Sequence, residues 1–162
     1  MKVDLQKAFD TVNREFLYYI FHCMGFSHRW INWIKECLSS TSFSIMLNGC
    51  PIQNFRSNRV ISQGCPLSPY LFVVAMEFWS ITMDIATAFG QIKPSRKNDQ
   101  LVVSRLLFAD DMLVFSKGDK TSASGINESL KKLHQYTGLT INRDKCKVSF
   151  SKGCKNKDEI AS

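Results

Sequence analysis

The residues best suited to do chemistry are Asp110 and Asp111, adjacent carboxylates inside the run Leu106-Leu107-Phe108-Ala109-Asp110-Asp111-Met112-Leu113-Val114-Phe115. Short apolar, β-compatible arms flank the pair, so the run predicts a buried hairpin with the acids at its tip. Neighbouring carboxylates repel, and apolar surroundings sharpen the repulsion. Two arrangements relieve it. The turn can point into water, where aspartate is a favoured turn residue. Alternatively, a divalent cation can sit against the acids and compensate their charge. The run by itself leaves both open.

Other chemistry-bearing residues are scattered along the chain. Asp4 sits in the short strand-like opening Lys2-Val3-Asp4-Leu5, with Phe9 and Asp10 following. Asp10 lies beyond the strand and reads as a helix-entry or turn residue. Ile52 to Ile61 is strand-like and carries Arg56 and Arg59 with no acid. It reads either as a solvated edge strand or as a phosphate-facing strip.

These residues must be positioned by the elements between them. Asn13 predicts the cap of a helix bearing Phe16, Leu17, Ile20, Phe21 and Met24 at helical spacing, stopped by Gly25. Ser27 caps a second helix with Trp30, Ile34 and Leu38 on one face and Trp33 and Cys37 beside them. Phe43 to Leu47 alternates and ends in Asn48-Gly49, a hairpin turn. Ser62-Gln63-Gly64-Cys65-Pro66-Leu67-Ser68-Pro69 is a turn, with Ser68 capping a helix from about Pro69 to Phe89. That helix is apolar on most sides, so burial against a sheet is expected. Gln91 to Gln100 reads as a surface loop. The hairpin arms are Leu101 to Phe108 and Met112 to Ser116. Thr121 or Ser122 caps a helix with Ile126, Leu130 and Leu133 on one face, closed by Gly138. Arg143 to Phe150 reads as a last, basic strand. Helices grouped against an antiparallel sheet define an α+β fold.

The totals agree with one domain: 162 residues, 44% hydrophobic and 22% charged. The net charge of +7 points to a polyanionic partner, nucleic acid first and an acidic membrane surface second. Six cysteines show no CxxC spacing and no accompanying histidine cluster, which argues against a zinc site. Without a secretory signal they read as reduced intracellular thiols. The longest wholly apolar run, Tyr70 to Met76, is far too short to span a bilayer, and Glu77 and Asp84 interrupt the apolar residues beyond it.

Three boxes in order complete the pattern: Asp4 with Phe9, the Gln63-Gly64-Cys65-Pro66-Leu67-Ser68-Pro69 turn, and Phe108-Ala109-Asp110-Asp111 about 45 residues later. With Gly138-Leu139-Thr140-Ile141-Asn142 and Lys145 behind them, they resemble the palm of reverse transcriptases. The likeness is strongest to non-LTR, LINE-type retrotransposons, particularly those of plants, and it runs from about Lys2 to Phe150.

The resemblance implies RNA-directed DNA polymerisation, in which a primer 3′-hydroxyl joins a dNTP on an RNA template. Two Mg²⁺ ions, or Mn²⁺, serve such chemistry through oxygen ligands. It assigns the metal ligands to Asp4, the Leu5 carbonyl and Asp110, with Asp111 less direct. Strand neighbours point to opposite faces, which fits unequal roles for the pair. Phe9 matches the aromatic beneath the dNTP sugar that excludes a 2′-hydroxyl. Gln63 and Gly64 match the turn lining the nucleotide pocket. Lys145 matches a lysine proposed to protonate pyrophosphate, and Ser62 replaces a frequent arginine. The family also implies nuclear action, and no membrane partner is expected.

Residues 1–150 are expected to form the palm with part of the fingers, and 151–162 a polar tail. The remaining fingers, the thumb and any endonuclease lie outside this sequence, so a truncated piece with little activity of its own is expected. The rival readings are an inactive remnant that binds nucleic acid through its basic charge, and a metal-stabilised structural domain.

Overall fold

A computed structural model describes residues 1–6, 8–40, 42–56, 65–98 and 101–151. Among the described residues, five helices and eight strands follow one another in the order β1 (Lys2–Gln6), α1 (Ala8–Thr11), α2 (Arg14–Cys23), α3 (His28–Ser39), β2 (Ser42–Leu47), β3 (Cys50–Arg56), α4 (Ser68–Ala88), β4 (Ser95–Asn98), β5 (Leu101–Val103), β6 (Arg105–Phe108), β7 (Asp111–Val114), α5 (Lys120–Thr137) and β8 (Thr140–Ile141). The main sheet is antiparallel with strand order β6-β7-β1-β8. Two separate two-stranded ribbons, β2-β3 and β4-β5, complete the strands. The α+β expectation therefore holds.

Alternation in the strands divides the sheet into two faces. Val3 and Leu5 of β1 and Met112 and Val114 of β7 are buried. They meet Leu71, Phe72, Ala75, Met76, Trp79 and Met83 of α4, with Leu17 of α2 and Ile126, Leu130 and Leu133 of α5 in the same core. The alternate residues Lys2, Gln6, Asp111, Leu106 and Phe108 are exposed. The sheet is thus covered on one side and open on the other.

Local signals explain most element ends. The Asn13 side chain accepts from the amides of Glu15 (2.9 Å) and Phe16 (3.4 Å), and the Ser27 hydroxyl accepts from Trp30 (3.3 Å). Gly25 and Gly138 follow α2 and α5 with left-handed φ of 83° and 78°. Asn48 and Gly49 both have positive φ, as a two-residue hairpin loop of the primed type needs.

Several expectations are corrected. Asp119, not Thr121 or Ser122, caps α5: its carboxylate accepts from the Ser122 amide at 2.8 Å, because the chain is extended at 119 and already helical at 120. Ser68 lies inside α4 and Leu67 takes the cap position without a side-chain bond. Part of the expected 91–100 loop pairs as β4 with β5, where Leu101 to Val103 leave the long hairpin arm at Ser104. The expected strand from Arg143 to Phe150 is a turn, with Lys145 and Cys146 amides donating to the Asn142 carbonyl, followed by a lone bridge between Lys147 and Lys2. Asn142 and Asp144 are turn-forming residues, and they prevail over the strand signal. β3 ends at Arg56, and the remainder of the expected 52–61 strand lies outside the described residues.

α4 is buried on one side only. Tyr70, Val73, Ile81, Ile85 and Phe89 stay exposed, because a single helical layer covers this sheet among the described residues. By length and composition α4 would suffice to cross a membrane, but Trp79 and Met83 are fully buried against the sheet, which makes it the core helix.

Candidate active site

Asp4 is central in β1, which has β7 on one side and β8 on the other. The register sets Asp4 directly opposite Asp111, with Val3 opposite Met112 and Lys2 opposite Leu113. Directly opposed residues of an antiparallel pair project to the same face. Two carboxylates therefore stand together on the open side of the sheet. The apolar neighbours Val3 and Met112 point the other way and anchor both strands in the core.

Asp110 belongs to the tip. Phe108 pairs with Asp111, leaving Ala109 and Asp110 as a two-residue turn. Ala109 adopts φ of 50°, a left-handed conformation that costs a non-glycine residue about 1 kcal/mol. This tight turn keeps Asp110 exposed at the end of the hairpin, one residue from Asp111.

The base of the hairpin is fastened separately. Arg105, at the start of β6, donates to both carboxylate oxygens of Asp84 (2.6 and 2.7 Å) and to the Ser80 hydroxyl (2.8 Å), all on α4. The guanidinium holds the Asp84 carboxyl below its ordinary range by hydrogen bonding and charge. β6 is an edge strand with β7 as its sheet partner, and this fork ties it to the core helix.

Two ammonium groups flank the carboxylates. Lys2 Nζ is 2.7 Å from Asp111 Oδ1, and Lys145 Nζ is 4.0 Å from Asp4 Oδ1. The Lys2 ammonium is pushed above its ordinary value, first by its bond to Asp111 and then by the charges of Asp111, Asp4 and Asp110. The 142–146 turn delivers Lys145: the Asn142 amide donates to the Asp4 carbonyl at 2.9 Å, which pins the turn to β1 beside the acid.

The structure thus sets Asp4 and Asp111 opposite each other with Lys145 near Asp4, and places Asp110 at the adjoining turn. Leu5 is buried, so its side chain faces the core. Phe9 and Asp10 lie in α1, but their side chains are outside the described residues, as is that of Arg56; Arg59, Gln63 and Gly64 are outside them altogether. Lys2 was missed by the sequence reading. The signal for it was its spacing of two from Asp4 on a strand, which places both on one face.

The donors fit a hard divalent cation, which takes oxygen ligands and favours carboxylates. Cationic nitrogens already stand against two of the three acids. Among the described residues, however, no three acidic, histidine or cysteine side chains converge as a ready cage. The site is an open face. A cleft of about 390 Å³ lies elsewhere, between the end of β7, the start of α5 and residues 148–151.

An antiparallel sheet open on one face, helices on the other, and acids on a central strand and the neighbouring hairpin tip define the palm of a right-hand nucleic-acid polymerase. The chain belongs to the reverse transcriptase (RNA-dependent DNA polymerase) family, whose profile matches residues 1–159. It is 25% identical over 154 residues to the Pol polyprotein of the type-2 retrotransposable element R2DM of Drosophila melanogaster, covering 93% of this chain and 14% of that protein. To the R2 polyprotein of Popillia japonica it is 23% identical over 146 residues, 90% of this chain and 23% of the relative. A Xenopus laevis transposon TX1 protein of 149 kDa is 27% identical over 77 residues, 48% of this chain and 6% of that protein. These insect and amphibian relatives lend no support to a plant source. The chain spans under a quarter of the length of these curated relatives. Apo telomerase from Candida tropicalis, truncated from its C-terminal domain, shares the fold with a TM-score of 0.64 at 16% identity, over 93% of this chain and 31% of that one.

Proposed function

We propose that this chain is the catalytic palm for RNA-templated DNA synthesis in a LINE-type element, joining a primer 3′-hydroxyl to the α-phosphate of a dNTP with loss of pyrophosphate. The observation that carries the reading is the register that sets Asp4 opposite Asp111 with Asp110 at the adjoining tip, all beside an open sheet face. Asp4, Asp110 and the Leu5 carbonyl would hold two Mg²⁺, or Mn²⁺, with Asp111 contributing less because Lys2 already engages it. When bound, the ions activate the attacking oxygen and stabilise the leaving one.

The chain's own residues do the rest. Lys145, beside Asp4, delivers a proton from Nζ to the departing pyrophosphate. Phe9 excludes a ribose 2′-hydroxyl. Gln63 and Gly64 line the nucleotide pocket, while Arg56 and Arg59 meet template phosphates. The partners are an RNA template, a DNA primer and dNTP, and the setting is the nucleus.

The test grafts residues 1–162 into the Drosophila polyprotein in place of the matched segment and assays Mg²⁺-dependent primer extension on RNA. Extension that Asp110→Asn abolishes supports the reading. A graft that binds RNA but never extends a primer, while the unmodified polyprotein does, favours a nucleic-acid-binding module instead.

A further inference from the structure

Two carboxylates on one open face, with a third at the adjoining turn, need compensation even with no cation bound, and the sheet supplies it from within. Lys2 precedes Asp4 by two residues, so both project from the same face of β1. The Lys2 side chain crosses to β7 and places Nζ 2.7 Å from Asp111 Oδ1. Its backbone is fixed independently: its amide donates to the Lys147 carbonyl (2.7 Å) and its carbonyl accepts from the Lys147 amide (3.0 Å). Lys145 reaches Asp4 only at 4.0 Å and is more exposed, so it is the looser of the two cations.

We propose that Lys2 is the internal counter-ion of the acidic site, occupying Asp111 in the metal-free protein and yielding it when a divalent cation binds, so that Lys2 sets the affinity of the site for metal. The inference rests on the reading of Asp4, Asp110 and Asp111 as a cation site. It explains how adjacent aspartates are tolerated in a protein without metal. It also explains why the acid directly opposite Asp4 is the weaker ligand: Asp111 is available only after an ion pair opens.

Mn²⁺ serves as the probe, its binding to residues 1–162 followed by the loss of the free-ion paramagnetic resonance signal. Lys2→Met removes the charge and keeps the length of the side chain, and Lys2→Arg keeps the charge. The Met variant is expected to bind Mn²⁺ roughly three- to tenfold more tightly, the order of one unit charge a few ångströms away under water-like screening. The Arg variant stays at the wild-type value. Lys2→Gln repeats the measurement should the Met variant fail to fold. Unchanged or weaker binding in the neutral variants, with wild-type binding still lost in Asp4→Asn, overturns the counter-ion role and leaves the metal site standing. No Mn²⁺ binding by any variant overturns both.

Discussion

At the scale of single residues, charge decides the site. Asp110 and Asp111 are adjacent in sequence but differ in surroundings: one is the exposed tip residue, the other is opposite Asp4 and paired to Lys2. The sequence offered water or a metal to relieve their repulsion, and the structure adds a third device, lysines from β1 and the 142–146 turn. Lys145 was named in the sequence, and spacing could place Lys2 on the face of Asp4, but the Lys2–Asp111 pair was illegible because it depends on a register that pairs residues more than a hundred positions apart. Phe9 illustrates the opposite case, a residue whose role rests on the family pattern. Phe9→Ala in the grafted polyprotein is expected to admit ribonucleotides, read as a fall in dNTP-over-rNTP selectivity. Unchanged selectivity in a folded variant would return Phe9 to the core.

Elements show why caps and crossings were harder to read than periodicity. The apolar stripe of α5 was plain in the sequence, as were the Asn13 and Ser27 caps and the Asn48-Gly49 turn; the stripes of α2 and α3 were read in part, since Met24 is exposed and Ile31, not Trp33, is buried. The α5 cap was misplaced by two to three residues, since Asp119, Thr121 and Ser122 are all cap-compatible types. Asp119→Ala is expected to cost about 1 kcal/mol in chemical denaturation. The Ser122 amide, chiefly, holds the Asp119 carboxyl below its ordinary range. A carboxyl lowered on folding stabilises the fold above its unfolded value and loses that contribution as pH falls through its folded value. The gap between wild type and Asp119→Ala should therefore be constant above about pH 5 and narrow only in stronger acid.

Gly125, inside α5, carried no signal, although glycine in a helix interior is costly. The structure explains it: a Cβ there would lie 2.6 Å from the Gln91 carbonyl oxygen and 2.9 Å from Ile92 Cγ1. Gly125→Ala is accordingly expected to destabilise by roughly 1 kcal/mol or more, despite the higher helix propensity of alanine. A raised melting temperature would show that the crossing has room.

Across the whole molecule, the apolar hairpin arms predicted a buried hairpin, but Leu106, Leu107, Phe108 and Leu113 are exposed, because the sheet is covered on one side only, which the sequence did not show. Nor did the sequence show that α4 keeps an apolar outer side, because composition registers total apolarity and not which side finds a cover. The net charge of +7 and the placement of Lys2, Lys145 and Lys147 along β1 and its flanking segment favour binding of a phosphate backbone. RNA affinity of residues 1–162 should fall roughly tenfold or more between 50 and 200 mM salt, the slope expected for about three phosphate contacts. A salt-independent affinity would remove these lysines from the interface.

The proposed function requires acids on β1 and on the β6–β7 hairpin to act as one catalytic site with unequal members. Single-turnover addition of one dNTP by the grafted polyprotein measures it directly, with Asp4→Asn, Asp110→Asn and Asp111→Asn compared against wild type. Loss of a principal ligand is expected to remove ~4 kcal/mol of transition-state stabilisation, about a thousandfold in rate, at Asp4 and at Asp110. The loss at Asp111 should be smaller. An Asp110→Asn variant that keeps more than a tenth of the wild-type rate, or an Asp111→Asn variant that loses more than Asp110→Asn, would contradict the account.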